Sequence, residues 1–474
     1  MATITIIDPV TRIEGHMKVE VSIDTVGGRQ EVIDARCTGT LFRGFEKLLE
    51  GRNPQDSTVI TTKICGVCPV SHGMASVLAL EDAAGFSAPD NARILRNLVL
   101  GANFIMSHIL HFYLLAAPDF VPGPQAQPWQ SAWQVDLRPG LDSVSAHLTS
   151  ALEARRRAHE MGAIFGGRMP SATTYVPGGI TAIPKQQTID QFRLQLNWLL
   201  NFIQGIYLPD VQAVADVYDD FFNMGAGSRN LLAFGVFDLD DTGQNKLLGR
   251  GQYAQATGAV QPIDLATISE SVTYSWYDEG TNNLHPSVGE QEAAYPKGDA
   301  YSWLKAPRLG GDPYEAGPLA RMWINGDYRN GISVMDRHLA RAEEALKIAE
   351  AMSGWLNELR VGDPVYSNYS CPSAGSGVGL TEAPRGALGH WMRTSSRKLA
   401  KYQVITPTCW NTSPRDSFDV PGPMEQALLG IPVLDSVRPI EVLRVIHSYD
   451  PCLACAVHVM QPKGEPIVLK AAGV

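Results

Sequence analysis

Residues 188–222, TIDQFRLQLNWLLNFIQGIYLPDVQAVADVYDDFF, carry Phe192, Leu196, Leu199, Leu200, Ile203, Val211 and Val214 at helical spacing. These apolar positions cover much of the helix circumference, which predicts burial against several neighbours, as in the middle of a helix bundle. Working outward, residues 333–359 repeat the pattern with Leu339, Leu346, Ala349, Met352 and Trp355 on one side. Residues 91–117 do so with Ile94, Leu95, Leu98, Phe104 and Ile105 and stop near Pro118, and residues 144–165 end at Gly166-Gly167. Residues 3–42 instead alternate (Ile4, Ile6, then Lys18-Val-Glu-Val-Ser-Ile23) around a Gly27-Gly28 turn, which predicts a small antiparallel sheet. Between 224 and 332, frequent Gly, Pro, Asp and Tyr predict irregular loops with short strands. The expected fold class is mainly α with a small β portion (α+β): a central long-helix bundle and a small N-terminal antiparallel sheet.

The 474 residues include 45% hydrophobic and 19% charged side chains, enough for a sizeable core and too apolar for a disordered chain. Lys and Arg number 39 against 49 Asp and Glu, a net charge of −10 without like-charge blocks, which removes the electrostatic footprint of a nucleic-acid binder. No stretch approaches the about 18 apolar residues of a bilayer span. The start MATITIIDPVTRIEGH lacks the ordered parts of an export signal, so the chain is expected to be cytoplasmic or carried out by a partner.

Seven cysteines, an odd and small number, exclude a disulfide framework. Cys37, Cys371 and Cys409 have no partner at ligand spacing and read as buried small hydrophobes. The other four form two CxxC pairs, Cys65/Cys68 and Cys452/Cys455. Two such pairs can hold one metal, because a short CxxC turn points both sulfurs the same way and thiolates suit zinc, iron and other soft or borderline metals. Structural zinc sites usually close a local loop, whereas 452 − 68 = 384 residues separate these pairs, which favours redox or catalytic metal chemistry over structural zinc. A histidine follows each pair, His72 and His458, and points to a hydrogen-bonding partner of the sulfurs or to a second metal.

The chain resembles the large subunit of nickel–iron hydrogenases from end to end. The resemblance rests on Asp8-Pro-Val-Thr-Arg-Ile-Glu-Gly-His16, Arg43-Gly-Phe-Glu46, Ile64-Cys-Gly-Val-Cys-Pro-Val-Ser-His72, His111-Phe-Tyr113, Val176-Pro-Gly-Gly179, Ala383-Pro-Arg-Gly386 and Asp450-Pro-Cys-Leu-Ala-Cys-Ala-Val-His458. Any one motif is weak; seven in this order are specific. The resemblance implies a nickel–iron centre whose iron carries CO and cyanide, with Cys65 and Cys452 as terminal nickel ligands and Cys68 and Cys455 as bridges. Cysteine rather than selenocysteine at 452 implies the plain nickel–iron form.

By the same resemblance Glu14 relays protons from the thiolate of Cys452; from the residues alone, a salt bridge to Arg12 is the competing reading. A carboxylate in a largely apolar pocket has a raised pKa, which suits proton transfer near neutrality. Arg385, with Pro384, matches the arginine that sits over the site and hydrogen-bonds one cyanide, and Thr408 the hydroxyl that donates to the other. His72 is expected on the sulfur of Cys68, and Asp450 beside Arg385. Glu46 and His458 match the ligands of a separate divalent site, magnesium or iron, completed by a main-chain carbonyl from near Lys401. Two departures stand out: Ser107 replaces a common aspartate, and Gly166-Gly-Arg-Met-Pro-Ser171 lacks the histidine of the matching element.

The resemblance further implies residues 1–458 as one integrated unit and 459–474 as an extension removed by a maturation endopeptidase once nickel-insertion factors have acted. With the four cysteines committed, electrons must leave through an iron–sulfur small subunit, and from there to a cytochrome or another membrane acceptor. Export with that subunit places the pair in the periplasm or on the periplasmic face of the inner membrane; the alternative is cytoplasmic. Two other readings of the fold are an H2 sensor and a quinone-reducing respiratory-complex subunit, the latter having lost the cysteine pairs retained here.

Overall fold

The computed structural model describes residues 3–8, 10, 15–124 and 133–452. Glu14, Cys455, His458 and the 459–474 extension lie outside the described residues.

The N-terminal expectation holds in detail. Strands β1 (Thr3–Ile7), β2 (Met17–Val26) and β3 (Arg29–Gly39) form an antiparallel sheet in the order β1-β2-β3. Along β2, buried Val19, Val21 and Ile23 alternate with half-buried Lys18, Glu20 and Ser22, the period of two that puts one face on the core.

The helical expectation holds with a changed centre. Helices α1 (Pro69–Ala84), α2 (Asp90–Leu110), α3 (Ser150–Gly166), α4 (Gln186–Phe202) and α5 (Leu208–Val217) appear where the apolar periodicity runs, as does α7 (Val334–Glu358), whereas α6 (Pro318–Asn325) forms in a region expected to hold loops and short strands. The hub of the bundle is α7, which packs on α2, α4, α5 and α6. The 188–222 run is not central: α4 buries one stripe (Ile189, Phe192, Leu196, Leu199, Phe202) and leaves Leu194 69% exposed. Nor is it continuous, because a π-helical turn at Ile203–Tyr207 separates α4 from α5. Pro209, in the first turn of α5, has no N–H to donate, and the ladder resets just before it. The segment Asp90–Asp119 is long and apolar enough to cross a membrane, yet its most apolar 18 residues, of mean hydropathy 1.6, are wholly buried inside the protein, as in a core helix.

The β portion is larger than expected, about 21% strand beside 41% helix. The main surplus is a second antiparallel sheet of β4 (Gly375–Ala383), β5 (Gly386–Ser395) and β6 (Lys398–Ile405). Its β4 lies directly on α1. Glycines make this possible: a Cβ on Gly379 would overlap the carbonyl oxygen of Ala75, and one on Gly377 that of Ala79. Apart from α6, the 224–332 region is made of short strands and turns as expected. Helix α8 (Ile440–Ser448), buried along its whole length and packed on α7, delivers the chain to Cys452.

Candidate active site

Cys65 and Cys68 sit on the short loop between a 3-10 turn (Thr61–Lys63) and α1, whose first residue is Pro69. Proline suits that position because its missing N–H is one that no helix start can use. The loop folds back so that the backbone N–H groups of Val67 (3.3 Å) and Cys68 (3.2 Å) point at the sulfur of Cys65. Donors aimed at a sulfur at a helix start favour its thiolate form. Two residues that the sequence reading assigned no role hold this loop. Asn103 on α2 donates through Nδ2 to the carbonyl of Val67 at 2.8 Å, and Arg43 donates to the carbonyls of Lys63 (2.7 Å) and Ile64.

The second cysteine arrives from the far end of the chain. Past α8, Asp450 turns left-handed (φ 56°), and its N–H caps His447 O at 3.1 Å. Pro451 follows, and Cys452 Sγ ends 3.4 Å from Cys65 Sγ, joining residues 387 apart in sequence. Cys452 is fully buried, and its N–H donates to Thr408 Oγ1 at 3.2 Å. Thr408 thus accepts from the cysteine loop, in addition to the donor role expected of its hydroxyl.

Arg385 lies at the tip of the β4–β5 hairpin, where Ala383 pairs with Gly386 and only Pro384 and Arg385 form the loop. Its Nε donates to Asp450 O at 3.0 Å and Nη1 approaches Ser107 Oγ at 3.4 Å. Nη2 stands 3.0 Å from Asp450 Oδ1 as an ion pair without hydrogen-bond alignment. The expected Arg385–Asp450 pairing is therefore present, and Ser107 occupies the aspartate's place with a weaker contact. Burial opposes the charge on Arg385, but the Asp450 carboxylate and the sulfurs of Cys452, Cys68 and Cys65 outweigh it and hold the guanidinium charged. One cation thus faces three thiols.

His72 departs from expectation. Its Nδ1 faces His390 Nε2 at 3.2 Å, and His390 Nδ1 faces the hydroxyl of Tyr402 at 2.8 Å. Its Nε2 makes no hydrogen bond among the described residues, to Cys68 or to any other group. Burial lowers the pKa of His72 to about 4, with Cys65 opposing and Arg43 assisting, so the ring is neutral. Of the remaining cysteines, Cys37 is buried as expected, whereas Cys371 and Cys409 are half-buried.

Beside Glu46, at the start of the short helix Phe45–Leu49, is a cavity of about 40 Å³ lined by Glu270, Gln291, Lys305, Val404 and Thr406 among others. That is room for an ion or one or two waters. Val404, near the end of β6, and Thr406, just beyond it, line the cavity, whereas Lys401 turns its amine to Val288 O and Glu290. Burial lifts the Glu46 carboxyl to about 7, and Lys305 only partly offsets this.

The donor chemistry fits the implied groups. Two thiolates at ~2.3 Å from one tetrahedral metal stand roughly 3.7 Å apart, close to the Cys65–Cys452 separation and far beyond a disulfide bond. Arg385 Nη2 is a buried donor, and His72 Nε2 a buried ring nitrogen, without a hydrogen-bond partner among the described residues. An oxygen-rich pocket with a carboxylate raised by burial suits a divalent cation that would hold it ionised. Among the described residues, no three His, Cys, Asp or Glu side chains form a group that could hold a metal ion; Cys455 and His458 lie outside those residues.

Residues 43–132, 123–331 and 325–458 match the nickel-dependent hydrogenase family, and residues 3–37 match a HoxL-like family. The periplasmic NiFeSe hydrogenase large subunit of Desulfomicrobium baculatum is 41% identical, over 96% of this chain and 94% of the relative. The uptake hydrogenase large subunit of Bradyrhizobium diazoefficiens is 33% identical, over 98% and 96%. The solved Ni-Fe-Se hydrogenase of Desulfovibrio vulgaris Hildenborough in its reduced state superposes with a TM-score of 0.92 at 41% identity, over 97% of this chain and 100% of that one. Thiols gathered from both chain ends under one buried arginine, and this full-length likeness, establish that the chain belongs to the nickel-dependent hydrogenase family, among its large subunits.

Proposed function

We infer that this protein is the catalytic large subunit of a nickel–iron hydrogenase, an oxidoreductase that runs H2 ⇌ 2H⁺ + 2e⁻. The observation that carries the reading is the meeting of Cys65 and Cys452 thiols at 3.4 Å beneath Arg385. The sensor and quinone-reductase readings are not favoured, since the relatives are named as hydrogenase large subunits.

Cys65, Cys68, Cys452 and Cys455 hold the centre, in the plain nickel–iron form because residue 452 is cysteine. Nickel and iron bound by these four sulfurs would supply the Lewis-acidic centre for heterolytic splitting of H2, and the resemblance implies that the iron would carry CO and cyanide. Cys452 Sγ would take up the proton released from H2 and pass it to the carboxylate of Glu14. Arg385 would hold one cyanide through its unaligned Nη2; Pro384 forms the turn with it, and Asp450 anchors the guanidinium. Thr408 holds the Cys452 loop by its oxygen, and its hydroxyl would donate a hydrogen bond to the second cyanide. His72, kept neutral, offers Nε2 toward the first thiol loop. Glu46 and His458 hold Mg2+ or Fe2+ with a main-chain carbonyl from Val404 or Thr406.

The large-subunit relatives support an obligate iron–sulfur small subunit as partner, in a heterodimer that passes electrons to a cytochrome or membrane acceptor. Nickel-insertion factors and an endopeptidase that removes residues 459–474 from the 1–458 unit complete maturation. A periplasmic location, reached with the small subunit, follows the relative named periplasmic.

The test is nickel and iron per chain in protein co-expressed with its small subunit and maturation factors. Nickel near one per chain, abolished by Cys452→Ala together with H2-dependent dye reduction, is expected. Zinc in place of nickel after competent maturation would overturn the reading.

A further inference from the structure

Arg321 on α6 is fully buried, and each of its five N–H groups has an acceptor. Nε donates to Glu344 Oε1 (2.5 Å), Nη2 to Glu344 Oε2 (2.7 Å) and Nη1 to Glu382 Oε2 (2.8 Å). The two remaining N–H groups donate to backbone: Nη1 to Ala383 O at 3.0 Å and Nη2 to Pro384 O at 2.8 Å. Ala383 and Pro384 are the two residues immediately before Arg385, at the tip of a hairpin whose own ladder ends at the Ala383–Gly386 pair. Gly386, at φ 137°, lets that tip press on Ala316 and Gly317.

The brace reaches the other side of the site as well. Glu344, on α7, also takes His108 Nε2 at 2.9 Å, and the preceding residue on α2, Ser107, is the one that Arg385 Nη1 approaches. The Arg321 guanidinium also lies over the Phe104 ring, 5.2 Å from its centroid. Burial pushes the Glu344 carboxyl up, but Arg321 and His108 outweigh it and hold it at about 2. On Glu382, which offers Arg321 only one oxygen, burial wins and the carboxyl rises to about 7. Charges buried this deeply are dearer than apolar side chains of the same size, so stability alone is a poor reason for them. What the apolar alternative cannot do is donate to two hairpin carbonyls.

We propose that Arg321 is the positioning residue of this site, setting where the Arg385 guanidinium stands over the thiols by gripping the Ala383 and Pro384 carbonyls against Glu344 and Glu382. The inference rests on the reading of Arg385 as the residue over a nickel–iron centre. Arg321 touches none of the reacting groups and acts through the hairpin.

The experiment uses the matured heterodimer with three variants. Arg321→Lys keeps the charge and loses the fork. Arg321→Met combined with Glu344→Gln and Glu382→Gln removes the grip without stranding two buried carboxylates. Arg385→Lys is the reference for a displaced or weakened guanidinium. For each, nickel per chain, the infrared bands of the CO and cyanide ligands, and kcat and KM for H2 are measured. Loaded Arg321 variants are expected to shift the cyanide bands in the same sense as Arg385→Lys. Their kcat should fall ~10- to 100-fold, the scale of a misplacement of about 1 Å, with KM within about two-fold and the lysine variant intermediate. Wild-type cyanide bands and kcat in the nickel-loaded triple variant would overturn the proposal, and so would failure of every Arg321 variant to load nickel when wild type does. Absence of nickel or of diatomic bands in wild type would instead overturn the underlying reading, and unmoved bands in Arg385→Lys would overturn the role of Arg385 and with it the proposal for Arg321.

Discussion

Asn103 and Arg43 show how single residues set the first thiol loop without belonging to it, each through a bond to a loop carbonyl. Neither was legible as such: an asparagine in an apolar helical run reads as a polar interruption, and only the fold reveals the carbonyl it meets. A third buried group, Glu425, carries a pH dependence. Burial raises its carboxyl to about 8, against the N–H of Cys37 and the hydroxyl of Tyr301, which both donate to Oε1. The folded state therefore keeps a proton that the unfolded state releases near pH 4.5. Its stabilising contribution is full below that point and is lost as pH rises through about 8. Glu425→Gln removes this dependence, so its melting temperature relative to wild type should climb between about pH 5 and pH 8.5. At ~1.4 kcal/mol per pKa unit the change amounts to a few kcal/mol. A difference that stays flat across that range would show that Glu425 titrates normally.

At the scale of elements, the contact that carries the site is β4 against α1. Helix α1 begins at Cys68's neighbour Pro69, and β4 ends one residue before the Pro384-Arg385 tip, so their spacing sets the distance between thiols and guanidinium. Gly377 and Gly379 allow strand and helix backbones to meet. Gly379→Ala must push them apart, and overpacking of this kind costs typically about 1–3 kcal/mol. The expected outcome is a lower melting temperature together with nickel content below wild type, measured on the co-expressed complex; a fully loaded, equally stable variant would refute it. This sheet escaped sequence reading because GSGVG and the residues after it lack the apolar alternation that marks β2, their packing surface being bare backbone. The long helices were legible because their apolar stripes repeat at helical spacing. Which of them is the hub was not, since periodicity reports that a face is buried and not by how many neighbours.

For the whole molecule, the two chain ends close on one site: β2 and β3 pack in the same core as α8, and Cys452 reaches Cys65. The proposed maturation step would act on this closure. Intact mass of protein co-expressed with its maturation factors should fall by residues 459–474 on nickel insertion, and should stay full length when nickel is withheld. A full-length chain carrying nickel and active toward H2 would refute the removal of the extension. Partner dependence belongs to the same scale, since the site offers sulfur ligands for one centre and the electrons need a route onward.

What the sequence by itself determined is chemical: four cysteines in two CxxC pairs, a carboxylate and an arginine in recognisable motifs, and the periodicities that make β2 a half-buried strand and α2 a core helix. These are local properties, written in residue type and spacing. Only the tertiary structure decided that residues 387 apart meet at 3.4 Å, that His72 faces His390, and that Arg321 grips the hairpin of Arg385. Such contacts join elements remote in sequence and depend on packing angles and backbone approach, for which neither helical nor strand periodicity carries information.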